Sequence, residues 1–349
     1  MMKRLFALLL AGLCLFSAVA CQNNAQEEKL GFLSVNGGQV YPDPFLTFNG
    51  QTVSFEEFRY YYLNYRDMYL EQNADYFSGE GTEESLKNEV LQCLLDSWAV
   101  RFLAEEYGVS LSQEESAQVA SDIDSTIDFY GGEAGFVSKL HDSYMSLPLY
   151  QTMMEYSSLY LKVFDKTFEE GSEYAWTNEK FYAYYQENYV AVQEIFIAYK
   201  EGEEKTSCPQ TELAIRAVYD KAVAGEDFWS LIEQYGEDEN MEANQNGYYF
   251  TKGQAEDALF EASKNLKINE LSAPVSGEAG LYILKRLPMT TEQMDANRDT
   301  TLKGYTDSLG TFHSGVYDDV FADIYKKKAE EIQITYSEYW DKISTKTVN

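Results

Sequence analysis

From Phe55 onward the apolar residues Phe55, Phe58, Tyr62, Tyr65 and Tyr69 recur at alternating steps of three and four, the pattern of one helical face. A strand cannot present that set to a single core, because its successive side chains alternate between two faces. The turn pair Asn49-Gly50 precedes the stripe, and Ser54 with Glu57 forms a capping box that sets the helix start. A second stripe, Leu91, Leu95, Trp98 and Phe102, predicts another helix ending at Gly108, and Ser112 with Glu115 opens a third. Residues 46–189 are therefore expected to be all-helical. Three consecutive tyrosines, Tyr60 to Tyr62, cannot all enter one core, so at least one is expected to face solvent or a groove, where it would suit loose binding of unfolded chain.

The texture changes at Ala191. The run "AVQEIFIAYK" is short, apolar and rich in β-branched and aromatic residues, which predicts a strand. Helical patterns follow in "TELAIRAVYDKAVAG" and "DFWSLIEQYG", then a glycine-bounded strand "NGYYF", a short helix "DALFEAS", and two closing strands around "LSAPV" and "LYILKRL". After Pro288, Thr290 and Gln293 form a further capping box and helical texture resumes. The expected fold class is α+β: a helical domain over 46–189, an α+β domain over 190–288, and C-terminal helices over 289–349 packing with the first domain.

The first twenty residues read as a secretory signal, with Lys3 and Arg4 ahead of the apolar Leu5–Phe16 and small residues at Ala18-Val19-Ala20. Two processing routes fit: cleavage after that triplet to release a soluble protein, or lipid modification of Cys21, with Ala18-Val19-Ala20-Cys21 as a lipobox. Residues 21–45 are expected to be a polar tether with an extended approach past Pro42 and Pro44. The chain is expected to work outside the cytoplasm, anchored through lipid on Cys21, with the soluble secreted form as the alternative. Cys93 falls in the apolar stretch "VLQCLLDSW" and Cys208 before Pro209; a buried free thiol and a Cys93–Cys208 disulfide are both compatible with the sequence. With 58 Asp+Glu against 27 Lys+Arg and a net charge of −31, the chain lacks the basic footprint that nucleic acid requires. No Cys/His set has zinc spacing, and no nucleophile or phosphate-loop motif is present, so neither metal nor cofactor is expected.

In the order "GEDFWSLIEQY", "NGYYFTKGQ", "LFEASKNLKINELSAPV", "GLYILKR", residues 190–288 resemble the parvulin family of peptidyl-prolyl isomerases. That family shows a G-x-D-F-x-x-L-A helix, a G-x-L-G-x-F-x-x-G strand, a G-E-[IL]-S-x-P-V turn and a G-[YF]-H-I-I strand in the same order. The flanks "FNGQTVSFEEF" and "AEEYGVSLSQEE" resemble foldases of the SurA and PrsA type, which build a helical chaperone domain from chain on both sides of an inserted parvulin domain. The resemblance implies a small, mostly antiparallel sheet flanked by helices.

It also implies a site. Active parvulins place one histidine on the first strand and another on the last; here those positions carry Glu194 and Tyr282. The acidic or thiol position maps onto Asp238, within Gly236–Glu239. The apolar floor for the proline ring maps onto Phe250, Leu259 and Phe260, with Ala255 where a methionine often stands. Rotation about a prolyl bond must give up amide resonance, a barrier of ~18–20 kcal/mol, and needs a pocket that prefers the twisted amide rather than a nucleophile or metal. The expected function is an extracytoplasmic foldase acting on unfolded or proline-containing secreted polypeptides, with weakened or absent isomerase activity. The alternatives are an active isomerase using Glu194, Tyr282 and Asp238, and an acidic surface-binding lipoprotein without foldase activity. Oligomeric state is open, a homodimer included.

Overall fold

The computed structural model describes residues 31–306 and 310–349; the signal segment, Cys21 and the start of the tether lie outside them. The described chain forms two compact units. One runs up to Ala175 and resumes at Lys303–Asn349; the other is Trp176–Leu302.

The first unit opens with an antiparallel hairpin of β1 (Leu33–Val35) and β2 (Gly38–Val40). This corrects the expectation of a tether through residue 45: Leu33 and Phe45 are wholly buried. They are apolar anchors in an otherwise polar stretch, and Leu33 bridges Val348 at the far end of the chain. A second hairpin, β3 (Leu46–Phe48) and β4 (Gln51–Val53), turns at Asn49 and Gly50, both at positive φ (50° and 82°) as a two-residue hairpin of this hand requires. The segment 46–189 is therefore not all-helical. Strands of three residues are too short to show alternation in sequence.

Next come α1 (Phe55–Gln72), α2 (Thr82–Tyr107), α3 (Gln113–Phe129), α4 (Glu133–Asp142) and α5 (Leu147–Phe168). At α3 the capping box closes in both directions between Ser112 and Glu115. At α1 only half of it forms: Ser54 accepts from the Glu57 N–H, while the Glu57 carboxylate instead accepts from Arg101 at 3.1 Å. Tyr61 and Tyr62 are buried, and Tyr60 is half-buried with its ring 5.1 Å from that of Tyr61. Two of the three enter the core, and Tyr60 alone stays partly open. The reason is that α1 is covered by α2 on one side and by Trp340 on another, whose ring lies 5.5 Å from Phe58. The exposed aromatics of this unit stand elsewhere, led by Phe129 at 83 % exposure.

In the second unit α6 (Asn178–Asn188) feeds β5 (Tyr189–Ala198), then α7 (Pro209–Val223), α8 (Phe228–Tyr235), β6 (Tyr248–Thr251), α9 (Asp257–Asn265), β7 (Val275–Ser276), β8 (Gly280–Arg286), α10 (Thr291–Ala296) and α11 (Arg298–Lys303), whose last residue lies across the boundary. The strands form one antiparallel sheet in the order β6-β5-β8-β7. Ile195, Ile197, Leu281 and Ile283 point to one face and pack under α7 and α8 with Ile215, Val218, Phe228 and Leu231. The other face carries Val190, Val192 and Phe250 against Phe260 of α9. Helices α6, α10 and α11 join this unit, so its boundaries are wider than 190–288.

The chain then returns to the first unit through the hairpin β9 (Tyr305–Thr306) and β10 (Phe312–His313), helix α12 (Val316–Glu330) and β11 (Ile334–Tyr336). Helix α12 lies along α2 and buries Phe321 completely against Val163 and Phe164 of α5. Strand β11 pairs with β3, giving a three-stranded sheet β11-β3-β4. Cys93 on α2 and Cys208 at the head of α7 are both free and buried, which settles the open pairing in favour of thiols. Among the described residues no helix is long and apolar enough to cross a membrane.

Candidate functional site

The ladder between β5 and β8 sets Glu194 opposite Leu284 and Phe196 opposite Tyr282. Cross-strand partners share a face and alternate residues return to it, so Glu194, Phe196, Tyr282 and Leu284 all stand on the face covered by α9. Glu194 and Tyr282 are thus diagonal neighbours, a separation that long side chains bridge. No hydrogen bond joins them. The Tyr282 ring instead packs on Phe196, with centroids 4.8 Å apart.

Phe250 of β6 and Phe260 of α9 continue this face, with centroids 6.5 Å apart; both are buried with Val190 and Val192, and Ala255 packs beside them. Leu259, next to Phe260, is buried as well. Asp238 reaches the same face from the loop after α8. Its carboxylate accepts from the Tyr248 hydroxyl at 2.5 Å and from the Asn240 N–H at 3.0 Å. The neighbouring Glu237 turns away to Lys200, at 2.8 Å, and to the Ala198 N–H. In the same loop Met241 is buried, and its sulfur receives the Glu194 N–H at 3.4 Å.

Three residues of this face were not singled out from sequence. Phe196 and Tyr248 have a legible signal, since each sits two positions from a named residue on its own strand. Glu256, just before α9, has none. Its carboxylate receives the Glu278 N–H at 2.8 Å, and a Cβ at Gly277 would come within 3.0 Å of it and 2.6 Å of the Tyr282 ring. The turn before β8 thus passes directly over both side chains, and a larger residue there would push them aside.

The electrostatics follow from crowding three carboxyls near an apolar surface. Burial, then the charges of Asp238 and Glu256, push the Glu194 carboxyl up to about 7. Burial, then Glu194, Glu256 and Asp238, push the Tyr282 phenol up to about 12. The Tyr248 phenol is raised by burial and by donating to Asp238. Among the described residues no group of His, Cys, Asp and Glu is arranged to hold a metal ion. Both histidines of the chain, His141 on α4 and His313 on β10, belong to the other unit.

Residues 195–287 match the family model described as Rotamase: PPIC-type PPIASE domain. The chain carries a parvulin-type domain. By resemblance it is a peptidyl-prolyl isomerase domain. The chain is also similar to the foldase protein PrsA of Halalkalibacterium halodurans, 28 % identical over 163 residues, which are 46 % of this chain and 45 % of that one. The match thus spans less than half of that relative. Solved structures similar to the chain include the peptidylprolyl isomerase PrsA of Bacillus cereus (18 % identity, 71 % of this chain and 78 % of that one, TM-score 0.31). The parvulin NmPin of Nitrosopumilus maritimus is another (24 % identity, 29 % of this chain and 97 % of that one, TM-score 0.23). The foldase protein PrsA of Lactococcus lactis is a third (13 % identity, 86 % and 97 %, TM-score 0.32).

Proposed function

We propose that the chain is an extracytoplasmic foldase whose parvulin-type domain takes prolyl segments of unfolded clients into the cleft of Glu194, Asp238, Tyr282, Phe250, Ala255, Leu259 and Phe260. One observation carries this reading: Glu194 and Tyr282 share the sheet face that also holds Phe250 and Phe260. An apolar floor with polar groups at one edge favours the twisted amide, which has lost resonance and exposes a localised nitrogen lone pair. Losing both histidines weakens turnover, so the domain binds prolyl segments well and isomerises them slowly.

The helical unit, 31–175 with 303–349, holds unfolded clients. In it Phe129 and Leu161 stand exposed, at 83 % and 54 %. In this reading the protein works outside the cytoplasm, held to the membrane by lipid on Cys21; mass spectrometry of the mature N-terminus, seeking diacylglycerol on Cys21, tests that element by itself.

The deciding experiment measures cis/trans exchange of a Xaa-Pro peptide by NMR with the full mature chain. Uncatalysed exchange takes tens to hundreds of seconds. Acceleration that disappears in Phe260→Ala supports the cleft; no acceleration at any pH leaves a client-holding protein without isomerase activity.

A further inference from the structure

We propose that Glu194 works in its protonated form, as a neutral hydrogen-bond donor to the prolyl amide, so that mild acid switches the isomerase on and alkali switches it off. This rests on the proline-cleft reading above.

The argument begins with the ligand. A prolyl amide has no N–H, so nothing at the rotating bond can donate to an ionised carboxylate, which only accepts. An ionised Glu194 would face the prolyl carbonyl oxygen with like partial charge. A protonated Glu194 offers an O–H instead, to that oxygen or to the nitrogen lone pair that localises as resonance is lost. This supplies what a ring N–H of histidine supplies at the same position. The proton remains on Glu194 throughout, and no bond is made or broken.

The structure assigns the proton to Glu194 rather than to its neighbours. The Asp238 carboxylate has the Tyr248 hydroxyl and the Asn240 N–H as donors. Glu256 has the Glu278 N–H. The Glu194 carboxyl receives no hydrogen bond from the described protein; only its backbone N–H is engaged, with Met241. Every element packed against it contributes either an acid or a phenol: Asp238 from the loop after α8, Tyr248 from β6, Glu256 from the start of α9 and Tyr282 from β8. Neighbours on its own strand face, Val192 and Phe196, carry no charge. Glu194 is the one carboxyl of the three without a donor, and burial beside two other acids favours its neutral form. The direction of the Glu194 shift agrees, with a midpoint at about 7.

The test is the exchange rate of a Xaa-Pro peptide free of titratable side chains, measured with the full mature chain from pH 5 to 9. Acceleration is expected to be largest on the acid side and to fall about tenfold per pH unit above the midpoint, as loss of a single proton dictates. Glu194→Gln, whose amide donates at every pH, is expected to run at least about tenfold faster than the parent at pH 8.5 and to give a level profile. Glu194→Ala is expected to lose acceleration at every pH while its circular dichroism stays that of the parent. A parent profile that is level, or rises with pH, overturns the protonated-donor role while leaving the isomerase reading intact. A Gln variant as slow as the Ala variant overturns it as well. No acceleration by the parent at any pH removes the isomerase reading itself, and this role with it.

Discussion

The Tyr248 hydroxyl donates to the Asp238 carboxylate at 2.5 Å, tying the loop after α8 to the edge strand of the parvulin-type sheet. That bond holds the Asp238 carboxylate in place beside β6. Replacing Tyr248 by Phe leaves the carboxylate short of a donor in a half-buried position. The expected loss of stability is about 1.5–3 kcal/mol, the usual range for a hydrogen bond to a charged group. Urea denaturation of the full chain at pH 8 checks it, and a change below 0.5 kcal/mol would show the bond to be incidental.

Glu194 makes stability depend on pH in a defined direction. Its carboxyl titrates at about 7 in the folded chain, against about 4.3 in an unfolded one. The folded state therefore holds the proton more tightly. The resulting stabilisation is complete below about pH 4 and disappears as pH rises through 7. Glu194→Gln, which has no charge to bury, should match the parent in acid and exceed it by about 1–3 kcal/mol above pH 8. Paired denaturation curves at pH 5 and pH 8.5 measure the difference; a gap of equal size at both would refute it.

Two glycines on the turn into β8 should behave differently. A Cβ at Gly280 would sit 2.2 Å from the Ile197 carbonyl oxygen, which the β5–β8 ladder cannot move. Gly280→Ala is expected to destabilise the domain by about 3 kcal/mol. At Gly277 the near atoms belong to the side chains of Tyr282 and Glu256, which can yield. Gly277→Ala should keep the fold and displace Tyr282, seen as weaker binding of a proline peptide with little change in melting temperature.

Phe321 of α12 is completely buried against Tyr160 and Phe164 of α5, with ring centroids at 5.1 and 5.4 Å. Phe321→Ala should cost about 3–5 kcal/mol. Hydrogen exchange should locate that loss in α2 and α5, with amides of β5 and β8 keeping their protection. Loss of protection in β5 would contradict a division of the chain at 175/176 and 302/303.

Burial raises the Cys93 thiol to about 12, and Cys208 is raised as well. Neither should react with a thiol reagent near neutral pH until urea unfolds the chain. Reaction of either in native buffer would show that its cover opens.

Features written in local pattern could be read without coordinates. The capping boxes at Ser112 and Thr290 both close reciprocally, and those boxes marked where the two helices begin. The strand–helix order of the parvulin-type domain was visible too, while the shared face of Glu194 and Tyr282 follows from the β5–β8 register. Elements whose partners are remote in sequence could not be read. Strand β3 is three residues long and pairs with Ile334–Tyr336, and Leu33 meets Val348; such pairings leave no local signature. The burial of Tyr61 and Tyr62 belongs here also, because the cover over α1 comes partly from Trp340.

The sequence by itself determined which residues of β5 share a face, because side-chain alternation along a strand is a property of the covalent chain. Tertiary structure alone decided their surroundings. Which carboxyl lacks a donor depends on Tyr248, Asn240 and Glu278 serving two carboxyls and not the third, and those donors come from separate elements that only folding brings together.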